Sequence, residues 1–273
     1  STLHDVLNRY ADTTKSGGVD FRGVEWWLLN SMGAVDSQML ASSAEQGCLV
    51  RYSPDGRYLI LGWTNGSVEV KDAVTRETLM VLDGGGDFVN GCDFHPHAPI
   101  LATITDDGKI RLWDLNQRQL VRTITALDRH GHRVFFSADG GTLVSSGEEN
   151  CVRFWDTETG ESRGEIGGFS AAAHSGVERR FAQSPARDRL AIADGDGEAG
   201  LYDFETREKI CELRGIGGEN APRCFRFPHD RRFVAAGNSD RSVFVWNADN
   251  GELVATFRGH RDDIRDLSFH PFG

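Results

Sequence analysis

One five-residue frame recurs along this chain at nearly even spacing. It stands as Ile110-Arg111-Leu112-Trp113-Asp114, as Val152-Arg153-Phe154-Trp155-Asp156 and as Val243-Phe244-Val245-Trp246-Asn247. A weaker copy is Ala199-Gly200-Leu201-Tyr202-Asp203, and Val68-Glu69-Val70-Lys71-Asp72 carries a lysine where the others carry an aromatic. The copies end at residues 72, 114, 156, 203 and 247, giving steps of 42, 42, 47 and 44. A unit of that length cannot bury its own apolar faces, so successive copies must stack on one another.

The stretches between the frames read as further strands. A first strand is apolar and alternating, as in Leu49 to Ser53, Gly91 to Phe94, Val134 to Ser137 and Cys224 to Phe227. Turns such as Ser53-Pro54-Asp55-Gly56 and Ser137-Ala138-Asp139-Gly140 follow, supplying a residue that tolerates positive φ. A second strand is built of small and apolar residues, for example Ile100 to Thr103 and Phe233 to Ala236. A tight turn (Thr64-Asn65-Gly66, Asp106-Asp107-Gly108) leads into the recurring frame, and a polar turn such as Thr157-Glu158-Thr159-Gly160 leads to an outer fourth strand. Four short strands per unit at this period are the signature of a propeller blade. The expected fold is all-β: five recognisable four-stranded blades and a sixth that is split or truncated, with Trp113, Trp155, Tyr202 and Trp246 wedged between neighbouring sheets.

The two ends depart from the pattern. Leu3, Val6, Leu7 and Tyr10 fall on one face of a short helix, and residues 1–22 read as a helix and linker ahead of a propeller spanning 23–273. Residues 24–29 and 38–42 read as the third and fourth strands of a divergent blade. At the other end, Ile264 to Phe269 reads as a first strand with no second strand after it. That strand either closes a six-bladed ring against 24–29 and 38–42, or belongs to a longer propeller of which this chain is a piece. The missing second strand favours the latter.

Composition narrows the partners. A net charge of -11 argues against a nucleic-acid backbone or an anionic membrane as the main partner. No apolar run approaches the ~20 residues of a membrane span. Five cysteines stand at 48, 92, 151, 211 and 224, an odd number without metal-knuckle spacing. Buried free thiols are the expectation, which leans toward a reducing, cytoplasmic setting.

The frames resemble WD repeats. Trp113-Asp114 and Trp155-Asp156 are Trp-Asp pairs, Gly259-His260 matches the family's Gly-His pair, and the resemblance covers residues 38–270. It implies a propeller and a platform for other proteins. It also implies a polar brace per blade, joining a loop His, a strand Ser or Thr, a turn Asp and the motif Trp. Here the loop position reads Gly85, Leu127 and Ile216, while Thr103, Asp107 and Trp113 supply the other three in one blade. Less polar bracing than in typical members is therefore expected. Asp20 to Leu28 is similar to the segment that opens the propeller in many bacterial WD-repeat proteins, some of them linked to serine/threonine kinases. No Gly-rich phosphate loop, His-Arg-Asp or Asp-Phe-Gly motif is present in this chain.

Three kinds of residue are candidates for function. Asp106, Glu148 and Asp194 are surplus acids in the second-to-third-strand turns of consecutive blades, expected on one face around a channel mouth. They could form an acidic rim for a protein or peptide, preferably basic, or act as acid and base in a hydrolase. Phe169 and His174 lie in the loop that lengthens the 47-residue step, and Trp63 replaces a small residue at a turn. An exposed Trp63 would anchor a partner; a buried one would fill a gap. His95-Pro96-His97 lacks a third metal ligand and reads as a turn. No catalytic residue, cofactor or metal is expected. The function these features imply is a non-enzymatic interaction scaffold; the alternatives are a sensing region of a larger bacterial signalling protein and a propeller hydrolase.

Overall fold

The computed structural model describes residues 47–128, 130–147, 151–167, 181–193, 198–215, 222–264 and 266–269. The expected helix at 3–10 and strands at 24–29 and 38–42 lie outside these residues.

The described chain forms five antiparallel sheets of four strands, each ordered as in the sequence. The first holds β1 (Gly47–Tyr52), β2 (Tyr58–Trp63), β3 (Ser67–Asp72) and β4 (Thr78–Asp83). The second holds β5 (Val89–Phe94), β6 (Ile100–Thr105), β7 (Lys109–Asp114) and β8 (Gln119–Thr125). The third holds β9 (Gly131–Phe136), β10 (Thr142–Gly147), β11 (Val152–Asp156) and β12 (Ser162–Ile166). The fourth holds β13 (Phe181–Gln183), β14 (Arg189–Ala193), β15 (Ala199–Asp203) and β16 (Lys209–Glu212). The fifth holds β17 (Pro222–Arg226), β18 (Phe233–Asn238), β19 (Ser242–Asn247) and β20 (Leu253–Arg258). The recurring frame is the third strand in every sheet.

Burial explains the order. The middle strands are almost wholly covered: β2, β6, β10 and β18 each run one partly buried residue and then five buried ones. The fourth strands are mostly exposed, as outer edges should be. Apolar clusters form between consecutive sheets. Ile60, Val68 and Val70 of the first sheet pack on Val89, Leu101 and Trp113 of the second. Ile104 and Ile110 pack on Val134, Phe136 and Trp155 of the third. Val144 and Phe154 pack on Phe181, Leu190 and Phe204 of the fourth, with Tyr202 at the margin. Leu201 and Ala193 pack on Phe225, Phe244 and Trp246 of the fifth. Each motif aromatic thus faces back onto the preceding sheet. Burying one such ring contributes about 3 to 5 kcal/mol at roughly 25 cal/mol per Å².

The motif indoles are also hydrogen-bonded. Trp113 Nε1 donates to Thr103 Oγ1 at 3.0 Å and Trp155 Nε1 to Ser145 Oγ at 2.9 Å. Trp246 Nε1 donates to the Arg214 carbonyl at 2.7 Å. The first sheet has Lys71 at this position, with Nζ on Thr78 Oγ1 and Glu69.

Beyond β20 the chain turns back onto the fifth sheet. Ile264, Leu267 and Phe269 pack with Ala235, Val243 and Val245, and Ile264 N donates to the Asn238 carbonyl at 3.3 Å. The described residues of the strand expected over 264–269 lie against the fifth sheet. They join no ladder among the described residues. Gly237 permits the approach, because a Cβ there would lie 2.4 Å from Ile264 Cγ2.

Candidate functional site

The turn joining β6 to β7 is the best-braced part of the expected binding end. Asp107 Oδ1 accepts from Thr105 Oγ1 at 2.5 Å and from the Lys109 amide at 3.1 Å. Its Oδ2 accepts from Arg111 Nη2 at 2.7 Å, and Arg111 Nη1 also donates to Thr105 Oγ1 at 2.7 Å. Burial alone would raise the Asp107 pKa; the hydrogen bonds from Arg111, Thr105 and Lys109 outweigh it and hold the carboxyl far below its ordinary range.

Arg111 occupies the space beside Gly85, the loop position where the family's histidine is expected. A Cβ on Gly85 would lie 2.7 Å from Arg111 Nη2. The brace is thus rebuilt: a guanidinium from the third strand reaches the turn acid in place of a loop imidazole. In the third sheet Arg153, at the equivalent position, donates through Nη1 to the Ala126 carbonyl at 2.9 Å. In the second sheet the polar brace is present in altered form.

Asp106, one residue earlier, is held differently. Its Oδ1 accepts from Asn90 Nδ2 at 2.5 Å and lies 3.2 Å from His130 Nδ1. Asn90 Nδ2 also donates to the Gly131 carbonyl, tying β5 to β9. The Asp106 side chain remains 27% exposed, so it sits at the mouth between two sheets and still faces solvent. Its neighbour Phe88, whose carbonyl accepts the Asp106 amide, is 48% exposed. Phe88 was not singled out in the sequence because it falls in a connection, outside any alternating segment.

Trp63 is corrected by the structure. It is buried with Leu59 and Leu61, in a cluster separate from the one the first sheet shares with the second, and Nε1 has no hydrogen-bond partner among the described residues. It fills a gap and is no exposed anchor. Glu148, Asp194, Phe169 and His174 lie outside the described residues. His95 takes the turn role: its Nδ1 accepts the amides of His97 and Ala98, and its ring meets Phe136 edge-on. Cys92, Cys151 and Cys224 are buried and Cys211 is half-buried; all four are free thiols. Burial pushes the Cys92 thiol up to about 12, so it is unreactive.

The opposite end of the first strands carries what the sequence reading missed. Asp93, 1% exposed, accepts Arg51 Nη2 from the first sheet at 2.8 Å. It accepts Arg187 Nη1 from the fourth sheet at 2.6 Å and the Phe136 amide of the third at 2.9 Å. Arg187 also donates to the carbonyls of Phe136 and Phe94. One carboxylate therefore links four sheets across the axis. A signal existed: Arg51, Asp93, Phe135, Ala182 and Arg226 all occupy one register, opposite Ile60, Ala102, Val144, Ala191 and Ala235.

Sheets of this order, stacked face to face with the first strands innermost, define a β-propeller. The model of the WD domain, G-beta repeat, matches residues 76–114, 120–156, 210–247 and 251–273, and the chain belongs to that family. It is 26% identical over 271 residues to autophagy-related protein 16 of Arabidopsis thaliana, covering 98% of this chain and 52% of that protein. It is 25% identical to nuclear distribution protein nudF of Aspergillus niger, covering 99% of this chain and 63% of the relative. Pre-mRNA-splicing factor cwf17 of Schizosaccharomyces pombe is 23% identical over 94% of this chain and 75% of its own. This chain thus spans about half to two thirds of the first two relatives. A chain in a crystal structure of the mitotic checkpoint complex superposes with a TM-score of 0.69 at 17% identity, over 83% of this chain and 71% of that one. These relatives are plant and fungal proteins; the resemblance to bacterial, kinase-linked proteins rests on residues outside those described.

Proposed function

We propose that this propeller is a non-enzymatic platform that docks a protein or peptide on the end carrying the β6–β7 turn, with a basic contact at Asp106. The observation that carries the reading is the pairing of an exposed aromatic, Phe88, with a fixed and partly exposed acid, Asp106, at one mouth. Interface anchors are typically aromatic, and a neighbouring charge sets orientation. Asp83, exposed at the end of β4, and Asp87, half-buried in the connection that follows, add to the acidic character. The relatives' names support the same reading at the level of class, since one solved neighbour belongs to a multiprotein complex.

The test is an affinity pull-down on immobilised chain, wild type against Phe88→Ala and Asp106→Lys, with thermal melts to establish folding. Partners retained by the wild type should be lost from both variants. A partner set unchanged by both substitutions contradicts the assignment of this face.

A further inference from the structure

The axis at the Asp93 end is lined by Arg51, Arg133, Arg187 and Arg226. Beside it lies a cavity of about 560 Å³ between the third and fourth sheets. Its walls include Ala138, Phe154 and Arg163 of the third sheet and Phe204 and Arg207 of the fourth. They come largely from the turns joining first to second and third to fourth strands. Because neighbouring strands run antiparallel, those turns stand at the end of the sheets away from the β6–β7 turn. The cavity is therefore separate from the Asp106 face and independent of the docking proposed there.

Arg163, Arg187 and Arg207 all line it. Arg163 is answered by Asp156 and Thr142 Oγ1, and Arg187 by Asp93 and two carbonyls. Arg207 is held without an acceptor. Its guanidinium lies over the Phe154 ring at 4.8 Å, and its Nε is buried with no hydrogen-bond partner among the described residues. The turn that carries it is pinned, since Asp203 Oδ1 accepts the amides of Glu205 and Thr206 at 2.9 and 2.8 Å. Gly164 of the third sheet leaves room for it, because a Cβ there would lie 2.9 Å from Arg207 Nη1. Arg76, at the same turn position in the first sheet, uses its Nη1 on Tyr52 Oη at 3.1 Å. Arg207 stacks on a phenylalanine, which offers no oxygen. A stacked guanidinium keeps its terminal N–H pair for an acceptor lying in its own plane.

Acids on the same walls narrow the ligand. Asp188 is answered by Ser184 Oγ and Arg231, and Asp139 Oδ1 by Ser137 Oγ and the Gly141 amide. A phosphate monoester would meet these acids with nearly twice the charge of a carboxylate. Asp139 is exposed, and its Oδ2 can accept N–H groups from a ligand.

We propose that this cavity docks an extended segment of a partner protein through an Asp or Glu side chain, its carboxylate paired with Arg207 and its neighbouring peptide N–H groups turned to Asp139. A single planar fork matches a planar carboxylate. An extended segment brings backbone N–H groups to the same wall, which a free organic acid does not. The volume suits a short stretch of side chains.

The experiment is a heteronuclear NMR titration of the nitrogen-labelled full chain at low salt, read at the Arg207 Nε–H and at the Gly164 and Thr206 amides. The probes are the capped tripeptide acetyl-Ala-Glu-Ala-amide, its Gln counterpart, propionate and inorganic phosphate. The Glu peptide should shift these signals saturably, and each other probe should bind at least about tenfold more weakly, the loss of one charge-assisted hydrogen bond or more. Arg207→Lys keeps the charge and loses the fork, so it should weaken the Glu peptide about tenfold, read at the two amides. The rest of its spectrum reports that the fold is kept. Arg118→Lys, outside the cavity, should change nothing. No saturable shift, a Gln peptide or phosphate bound as tightly, or binding unchanged in Arg207→Lys would overturn the proposal. Propionate bound as tightly as the Glu peptide would overturn the assignment to a protein segment.

Discussion

At the scale of single residues, backbone conformation and side-chain charge can be tested separately. Five turns between third and fourth strands demand a residue at positive φ, filled by Arg76, Arg118, Gly160, Arg207 and Gly251. Arg207 stacks over the Phe154 ring at 4.8 Å and Arg76 over Tyr52 at 5.8 Å. Arg118 is exposed at φ 58 with no such contact to offset the strain. Arg118→Gly should therefore stabilise by about 0.5–1 kcal/mol, read as a raised melting temperature, while Arg207→Gly should not. Asp107 supplies the pH test. Its folded pKa is depressed, so its contribution is complete above the unfolded value, near about 3.9, and is lost as pH falls toward the folded one. Wild type should exceed Asp107→Asn in stability at pH 7 by about 1–3 kcal/mol, and that gap should begin to narrow below about pH 4 and keep narrowing as the pH falls further. A gap unchanged by acid would contradict the assignment.

At the scale of elements, the strands were legible because their alternation and turn chemistry repeat. The observed β6 and β18 begin at Ile100 and Phe233, where the residue pattern places them. The brace was not legible, because it depends on which side chain crosses an empty loop. Gly85 announces a missing histidine, but only packing shows that Arg111 takes its place. Trp63 misled for a related reason: a large residue at a turn does not reveal which side of the sheet it covers. Arg111→Met should cost about 1.5–3 kcal/mol in urea denaturation, since Asp107 loses a charge-assisted hydrogen bond and keeps only Thr105 and Lys109 as partners. Arg241→Met, removing an exposed cation in the equivalent turn of the fifth sheet, should change stability by less than about 0.5 kcal/mol. Equal effects would mean that Arg111 is a surface charge and no brace.

At the scale of the molecule, curvature of the sheet array brings distant segments to one acid. Asp93 and Arg187 are 94 residues apart, on the second and fourth sheets, and meet at 2.6 Å. Asp93 shares a register position with Arg51 and Arg226, but nothing in the sequence pairs it with Arg187, because the meeting depends on the rotation accumulated over two intervening interfaces. The same geometry separates an acid-and-aromatic mouth at Asp106 and Phe88 from an arginine-lined cavity at the other end. The most direct test of this arrangement is a double-mutant cycle on Asp93→Asn and Arg187→Gln, followed by denaturant unfolding. The account predicts a coupling energy of about 1–3 kcal/mol between the two positions. Strict additivity would contradict an arrangement of these sheets around a common axis.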